Sequence, residues 1–130
     1  MIIIYGIKEN LNPIKSKMST VIHGCLMSAL GLPKHKRFHR FIPMDKEDFF
    51  YSVEDGRTDS YTVLEINLME GRKKETIKSL IKAIFCEFDS QLGISPTDVK
   101  IIIHEQPSHC WGFRGMTGDE AKDLTYQINV

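Results

Sequence analysis

The sequence predicts an α+β domain: duplicated β-α-β units forming a four-stranded mixed sheet with two helices on one face, plus short C-terminal strands. Three observations carry this. Thr62–Gly93 reads as a strand, a tight Gly-Arg turn and a long amphipathic helix closed by glycine. The first part of the chain runs in the same order of strand, turn, helix, glycine and strand. Equivalent residues also keep one spacing. Gly31 and Gly93 stand 62 positions apart (93 − 31), and the same offset pairs Met18 with Leu80, Ile22 with Ile84, Leu30 with Leu92 and Ile4 with Ile66. A strand–helix–strand unit returns its second strand parallel to its first by a right-handed crossover. Two such units, over 1–43 and 62–107, make one domain of residues 1–130, with one sheet face covered by helices and the other bare.

Each element has its own signal. Met1–Ile7 is an apolar strand, and Lys8–Asn12 a polar turn. Asn12-Pro13 fits a helix start, with asparagine as cap and proline in the first helical position. Ile14, Met18, Val21, Ile22, Cys25, Leu26 and Ala29 then line one face, until Gly31 and Pro33 close the helix. Phe38–Ile42 alternates as a half-buried strand that Pro43 ends. Asp45–Phe50 is expected to make one helical turn with Phe49 and Phe50 on the core, and Ser52–Ser60 a loop or short hairpin. In Thr62–Gly93, Val63, Leu64, Ile66 and Leu68 form the strand, and Gly71 permits the turn. Ile77, Leu80, Ile81, Ile84, Phe85 and Phe88 recur at spacings of three and four, so they form one helical stripe. Val99–His104 is a buried strand, and Leu124–Val130 a closing alternation.

Composition excludes several classes. Lys+Arg and Asp+Glu number 17 each, which gives no electrostatic reason to expect nucleic acid or an anionic membrane. No apolar run approaches the roughly 20 residues that span a bilayer. No signal-peptide pattern opens the chain, so a cytoplasmic location is expected. Cys25, Cys86 and Cys110 lack paired spacing, and two of them fall on apolar helix positions, so reduced structural cysteines are expected. His35 with His39, and His104 with His109 and Cys110, do not have metal-site spacing on the elements that carry them. Arg37, Arg40, Lys34 and Lys36 read as a solvated basic face. Both sheet faces are apolar, and a bare apolar face in so short a chain calls for a second copy of itself, hence a homo-oligomer.

Several local patterns occur in a particular order. Leu30-Gly-Leu-Pro33 precedes an Arg37-Phe38 strand, and Gly71-Arg72 opens the second helix. Gly93-Ile-Ser-Pro-Thr-Asp-Val99 leads into the fourth strand, and Trp111-Gly-Phe-Arg-Gly115 follows. Over nearly its whole length the chain thus resembles the tautomerase superfamily, in particular the longer-chain subgroup of 4-oxalocrotonate tautomerase and malonate semialdehyde decarboxylase-like proteins.

That resemblance implies a homotrimer whose sheets surround a central barrel, no metal or cofactor, and a small carboxylate ligand. It also implies an N-terminal proline amine as proton carrier, with arginines on the carboxylate. Here Ile2 stands in the proline's place. Because methionine removal needs a small second residue, Met1 is expected to stay as a primary amine, of ordinary pKa about 7.7–8. Arg72 matches the family's carboxylate-binding arginine. Trp111 and Phe113 match the apolar pocket wall, Arg114 follows them, and Ile2 borders the amine. Glu70 and Lys36 fall where the decarboxylases carry an arginine and an acid. The implied set is therefore Met1 and Arg72 for chemistry, with Ile2, Arg72, Trp111, Phe113 and Arg114 for binding. Two functions are compatible with it: keto–enol tautomerisation of a small carboxylic acid, or a non-catalytic homo-oligomer that binds a small ligand or serves assembly.

Overall fold

The computed structural model describes residues 1–121 and 130; the alternation expected at Leu124–Val130 lies almost wholly outside them. Strand β1 (Ile2–Ile7) leads into a short helix α1 (Lys8–Leu11), then α2 (Lys15–Leu30) and β2 (His39–Met44). After a 3-10 turn at Lys46–Asp48 come β3 (Thr62–Met69), α3 (Lys74–Glu87), a π-helical turn at Phe88–Leu92 and β4 (Val99–Gln106). Two short strands follow, β5 (Gly112–Phe113) and β6 (Met116–Thr117).

The four main strands form one sheet in the order β2-β1-β3-β4, parallel within each unit and antiparallel between β1 and β3. The pairing itself obeys the offset read from the sequence. Ile4 faces Phe41 and Ile66 faces Ile103, each member 62 positions from its counterpart (66 − 4, 103 − 41). Period-two alternation sends Ile2, Ile4, Leu64, Ile66 and Leu68 to one face. There they pack on Met18, Ile22, Leu26 and Leu30 of α2, on Leu80 and Ile84 of α3 and on Phe88 just after it. Burying such side chains is worth about 1.5–3 kcal/mol each, which holds both helices to this face. Gly31 and Gly93 close the helices at φ 70° and 66°, left-handed values that glycine takes without steric cost.

Five local expectations are corrected. Lys8–Asn12 is mostly helix rather than turn, because Leu11, buried at 2%, anchors it beneath Gly6. Asn12 therefore closes α1, donating to Lys8 O at 3.0 Å, and α2 starts after Ile14. Pro43 does not end β2, which runs on to Met44. Ile2 N donates to Phe38 O, so in this parallel ladder the even-numbered groups of β2 face β1 and Pro43's missing N–H points outward, where no strand among the described residues needs it. Phe49 and Phe50 do not both reach the core. The turn stops at Asp48 and the chain is extended beyond it, so successive side chains diverge: Phe49 joins Tyr51 and Tyr61, whereas Phe50 is 91% exposed. Lastly, Cys86 is exposed and only Cys25 is buried, with burial pushing its thiol up to about 11.

The face away from the helices is mixed rather than wholly apolar. Ile3, Tyr5, Val63 and Ile102 share it with Arg40, Glu65, Asn67 and Lys100. Among the described residues no helix is long and apolar enough to cross a membrane.

Candidate functional site

The N-terminus lies on this open face. Because Ile2 pairs with Ile66, Met1 falls opposite Asn67, and the two residues exchange bonds. The Met1 amine donates to Asn67 O at 3.2 Å, Asn67 N donates to Met1 O at 2.9 Å, and Asn67 Nδ2 to the same oxygen at 3.4 Å. Three hydrogen bonds between the two residues thus fix the position of an amine that is only half-buried.

Two cations flank it. Arg40 projects from β2 onto the same face, its Nη1 3.6 Å from Met1 Sδ. Arg72 comes from the turn after β3, where Gly71, at φ 134°, reverses the chain. Arg72 is 9% exposed and its Nη1 donates to Met69 O at 3.1 Å. Burial, then Arg40, then Arg72 hold the Met1 amine below its ordinary pKa of 8.0. A lowered pKa means more free amine at neutral pH, and free amine is the form that accepts a proton. The neighbouring helix start is capped from the far end of the chain: Val130 O accepts from Lys73 N at 3.0 Å and from Thr76 Oγ1 at 2.7 Å.

The residues expected from the sequence separate into groups. Met1 and Arg72 meet through their charges. Trp111 reaches the site end of β3 by way of Gly118: a Cβ there would stand 2.3 Å from Ser108 O, 2.9 Å from Met69 Cε and 3.1 Å from Trp111 Cβ. Trp111 Nε1 is buried without a hydrogen-bond partner among the described residues. Phe113 and Arg114 lie on the β5–β6 hairpin, where Arg114 and Gly115 both have positive φ, as a two-residue primed turn requires. Arg114 stacks over the Phe113 ring at 5.4 Å. Ile2 points away from the amine into the core at 1% exposure, so its side chain packs on the helices rather than lining the site. Glu70 is exposed, its backbone N–H bonded to Gln106 O.

Arg40 is the residue that sequence reading missed. Taken as part of a solvated basic face, it lies beside the amine because strand parity directs His39 and Phe41 inward and Arg40 outward. An open cleft of about 340 Å³ lies elsewhere, at the far end of β1 near Lys8, Glu9 and Asn10. There Lys8 pairs with Asp45 at 2.6 Å and Lys46 with Asp59 at 3.1 Å, so its charges answer one another. By the repeat, Asn10 is the counterpart of Arg72 (72 − 62), so this corner has an amide where the other has a guanidinium. No group of three or more His, Cys, Asp or Glu side chains suited to a metal occurs among the described residues.

Comparison with known proteins agrees with the fold. Residues 36–114 match the family Tautomerase_2, described as tautomerase enzyme. A probable tautomerase of Bacillus subtilis (strain 168), YusQ, is 27% identical over 100 residues, covering 75% of this chain and 79% of that protein. Among solved structures, a malonate semialdehyde decarboxylase superposes with a TM-score of 0.80 at 19% identity, covering 89% of this chain and 92% of the other. A native fused 4-OT gives 0.80 at 19% identity, covering 92% and 96%. At those identities the structural likeness speaks for the fold; the family match extends over more than half of the sequence. The chain belongs to the tautomerase family, with Ile2 where the resemblance implies a proline.

Proposed function

We propose that the protein catalyses keto–enol tautomerisation of a small carboxylic acid as a homotrimer, with the Met1 amine carrying the proton and Arg72 and Arg40 holding the carboxylate. The observation that carries this reading is the half-buried amine set between two arginines that lower its pKa. The free amine takes a proton from the carbon beside the substrate carbonyl and returns it at the other end of the enol, so nothing is gained or lost overall. Arginines suit the carboxylate, because their planar N–H groups pair with its two oxygens. Trp111 and Phe113 supply the apolar wall, and Arg114 a further cation at its edge.

The test is ketonisation of phenylpyruvate enol, with the N-terminal residue verified by intact mass. The expected result is a rate above buffer that falls about 10–100-fold in Arg72→Ala, the range of a lost charge-assisted contact. Rates equal to buffer, and unchanged in Arg72→Ala, would sink the reading. One feature favours the alternative of a non-catalytic, ligand-binding homo-oligomer: Ile2 stands where the proline amine would be. An Ile2→Pro variant that loses Met1 and gains activity would mean that the wild type keeps the pocket while lacking the base.

The trimer rests on the open sheet face and on the likeness to a fused 4-OT described as an asymmetric trimer, with a TM-score of 0.79. A native mass of three chains is expected. A cytoplasmic location remains part of this reading and is tested by cell fractionation.

A further inference from the structure

Behind β2 lies a cluster of side chains that this chemistry leaves unused. Ser19 and His23 stand one helical turn apart on α2, and His39 of β2 meets both. His39 Nδ1 is 2.7 Å from Ser19 Oγ, and the imidazoles of His39 and His23 approach edge to face with centroids 6.0 Å apart. His23 is buried, its Nε2 donating to Pro33 O and Lys34 O at 3.2 and 3.0 Å. His39 Nε2 is also buried, without a hydrogen-bond partner among the described residues.

The location of the cluster gives it a role. Among the described residues β2 is an edge strand, bonded in the sheet to β1 alone. Its inward side chains His39 and Phe41 seat it against the helix layer, and Arg40 between them projects the other way, toward Met1. Any tilt of β2 that lifts His39 from α2 therefore moves Arg40 relative to the amine.

We propose that the Ser19–His39–His23 cluster positions Arg40, locking the edge strand to α2 so that the guanidinium stays beside the N-terminal amine. This rests on the reading of Met1 and Arg40 as part of the site. The lock works with an uncharged His39. The titratable and charged groups facing it are His23 from α2, Arg37 from the chain just before β2 and the Met1 amine from β1, alongside the neutral Ser19 hydroxyl. All three titratable neighbours are basic. Burial first, then these neighbours, lower the His39 pKa from 6.5 to about 4. So weak a base does not activate Ser19 at neutral pH, which argues for a structural hydrogen bond and against a nucleophilic Ser–His pair.

The test needs no substrate. The N-terminal amine is titrated by NMR in the wild type, Arg40→Ala, His39→Gln, Ser19→Ala and the double variants with Arg40→Ala. Arg40→Ala is expected to raise the amine pKa, since it removes a neighbouring cation. His39→Gln and Ser19→Ala are expected to raise it too, with no further rise when added to Arg40→Ala. If Arg40→Ala shifts the titration and Ser19→Ala does not, or if their shifts add, the positioning role is overturned and the site reading stands. A flat titration in Arg40→Ala overturns both. Should His39→Gln fail to fold, Ser19→Ala carries the test alone, since it removes one hydroxyl. Finally, the wild-type Arg40 Nε resonance should move as His39 protonates near pH 4. The same movement in His39→Gln would overturn the requirement for a neutral ring.

Discussion

An amine held between burial and two arginines loses its proton more readily than a free α-amino group, so its working pH moves down. Tautomerase activity is therefore expected to rise with pH through a midpoint below 8.0. Arg72→Ala should move that midpoint upward by removing a cation; a pH–rate profile centred at or above 8.0 in the wild type would contradict this. His39 sets a second pH dependence, on stability. Its folded value of about 4 lies below its ordinary 6.5, so between those values the unfolded chain binds more protons. Stability is then complete above about pH 6.5 and declines as pH falls toward 4. Allowing for the solvent that reaches this ring, the loss is about 1–2 kcal/mol. Urea unfolding at pH 7 and pH 4.5 measures it, and His39→Gln should abolish much of the difference. Arg72 was legible as a candidate through the resemblance to the tautomerase superfamily, whose carboxylate-binding arginine it matches after the third strand; the Gly-Arg corner alone reads as a turn. Arg40 was not, because Phe38 and Phe41 are three apart and lie on opposite faces of β2. Hydrophobicity alone does not say which of them turns inward, and Phe38 is in fact 63% exposed.

At the scale of elements, glycine spacing and helical periodicity were sufficient for α2, α3 and their closures. α2 stops at the left-handed Gly31, and the π-helical turn that continues α3 stops at the left-handed Gly93; the stripe buries Leu80, Ile84 and Phe88 as its period implies. Elements that depend on neighbours distant in sequence were not legible. α1 exists because Leu11 finds a space under Gly6, and the small β5–β6 hairpin is seated by Gly118 against Ser108, Met69 and Trp111. The latter contact is testable. Gly118→Ala places a methyl 2.3 Å from a backbone oxygen, which cannot be relieved by rotating a side chain. It is expected to cost about 1–3 kcal/mol and to loosen the hairpin. Trp111 is the sole tryptophan, so its fluorescence reports that loosening directly. An unchanged emission spectrum and unfolding midpoint would mean that the corner accommodates the methyl by a backbone shift.

For the whole molecule, the equivalent parallel pairing inside each unit was foreshadowed by one number, the 62-residue offset, because a duplicated chain must pair its halves in equivalent ways; the antiparallel join of β1 to β3 was not. The mixed character of the open face was not, since a strand with apolar residues on both sides does not reveal where Arg40, Glu65 and Lys100 line up across neighbours. A trimer built on that face has to pair these charges as well as cover Ile3, Tyr5 and Val63. Val63→Asp, in the middle of the face, is expected to yield single chains by native mass measurement while leaving the helix-side core folded. A variant that stays trimeric would place the contact elsewhere.

Pro43 adds a constraint of a different kind. The outer rim of β2 presents only the odd-numbered N–H groups to an incoming strand, and at Pro43 that donor does not exist. A second chain zipping along this rim would meet an interruption within its first few rungs. Open-ended ribbon growth from β2 is thereby discouraged. At this edge of the sheet, the interruption disfavours strand-to-strand addition and is compatible with the proposed trimer, whose contacts use the sheet face.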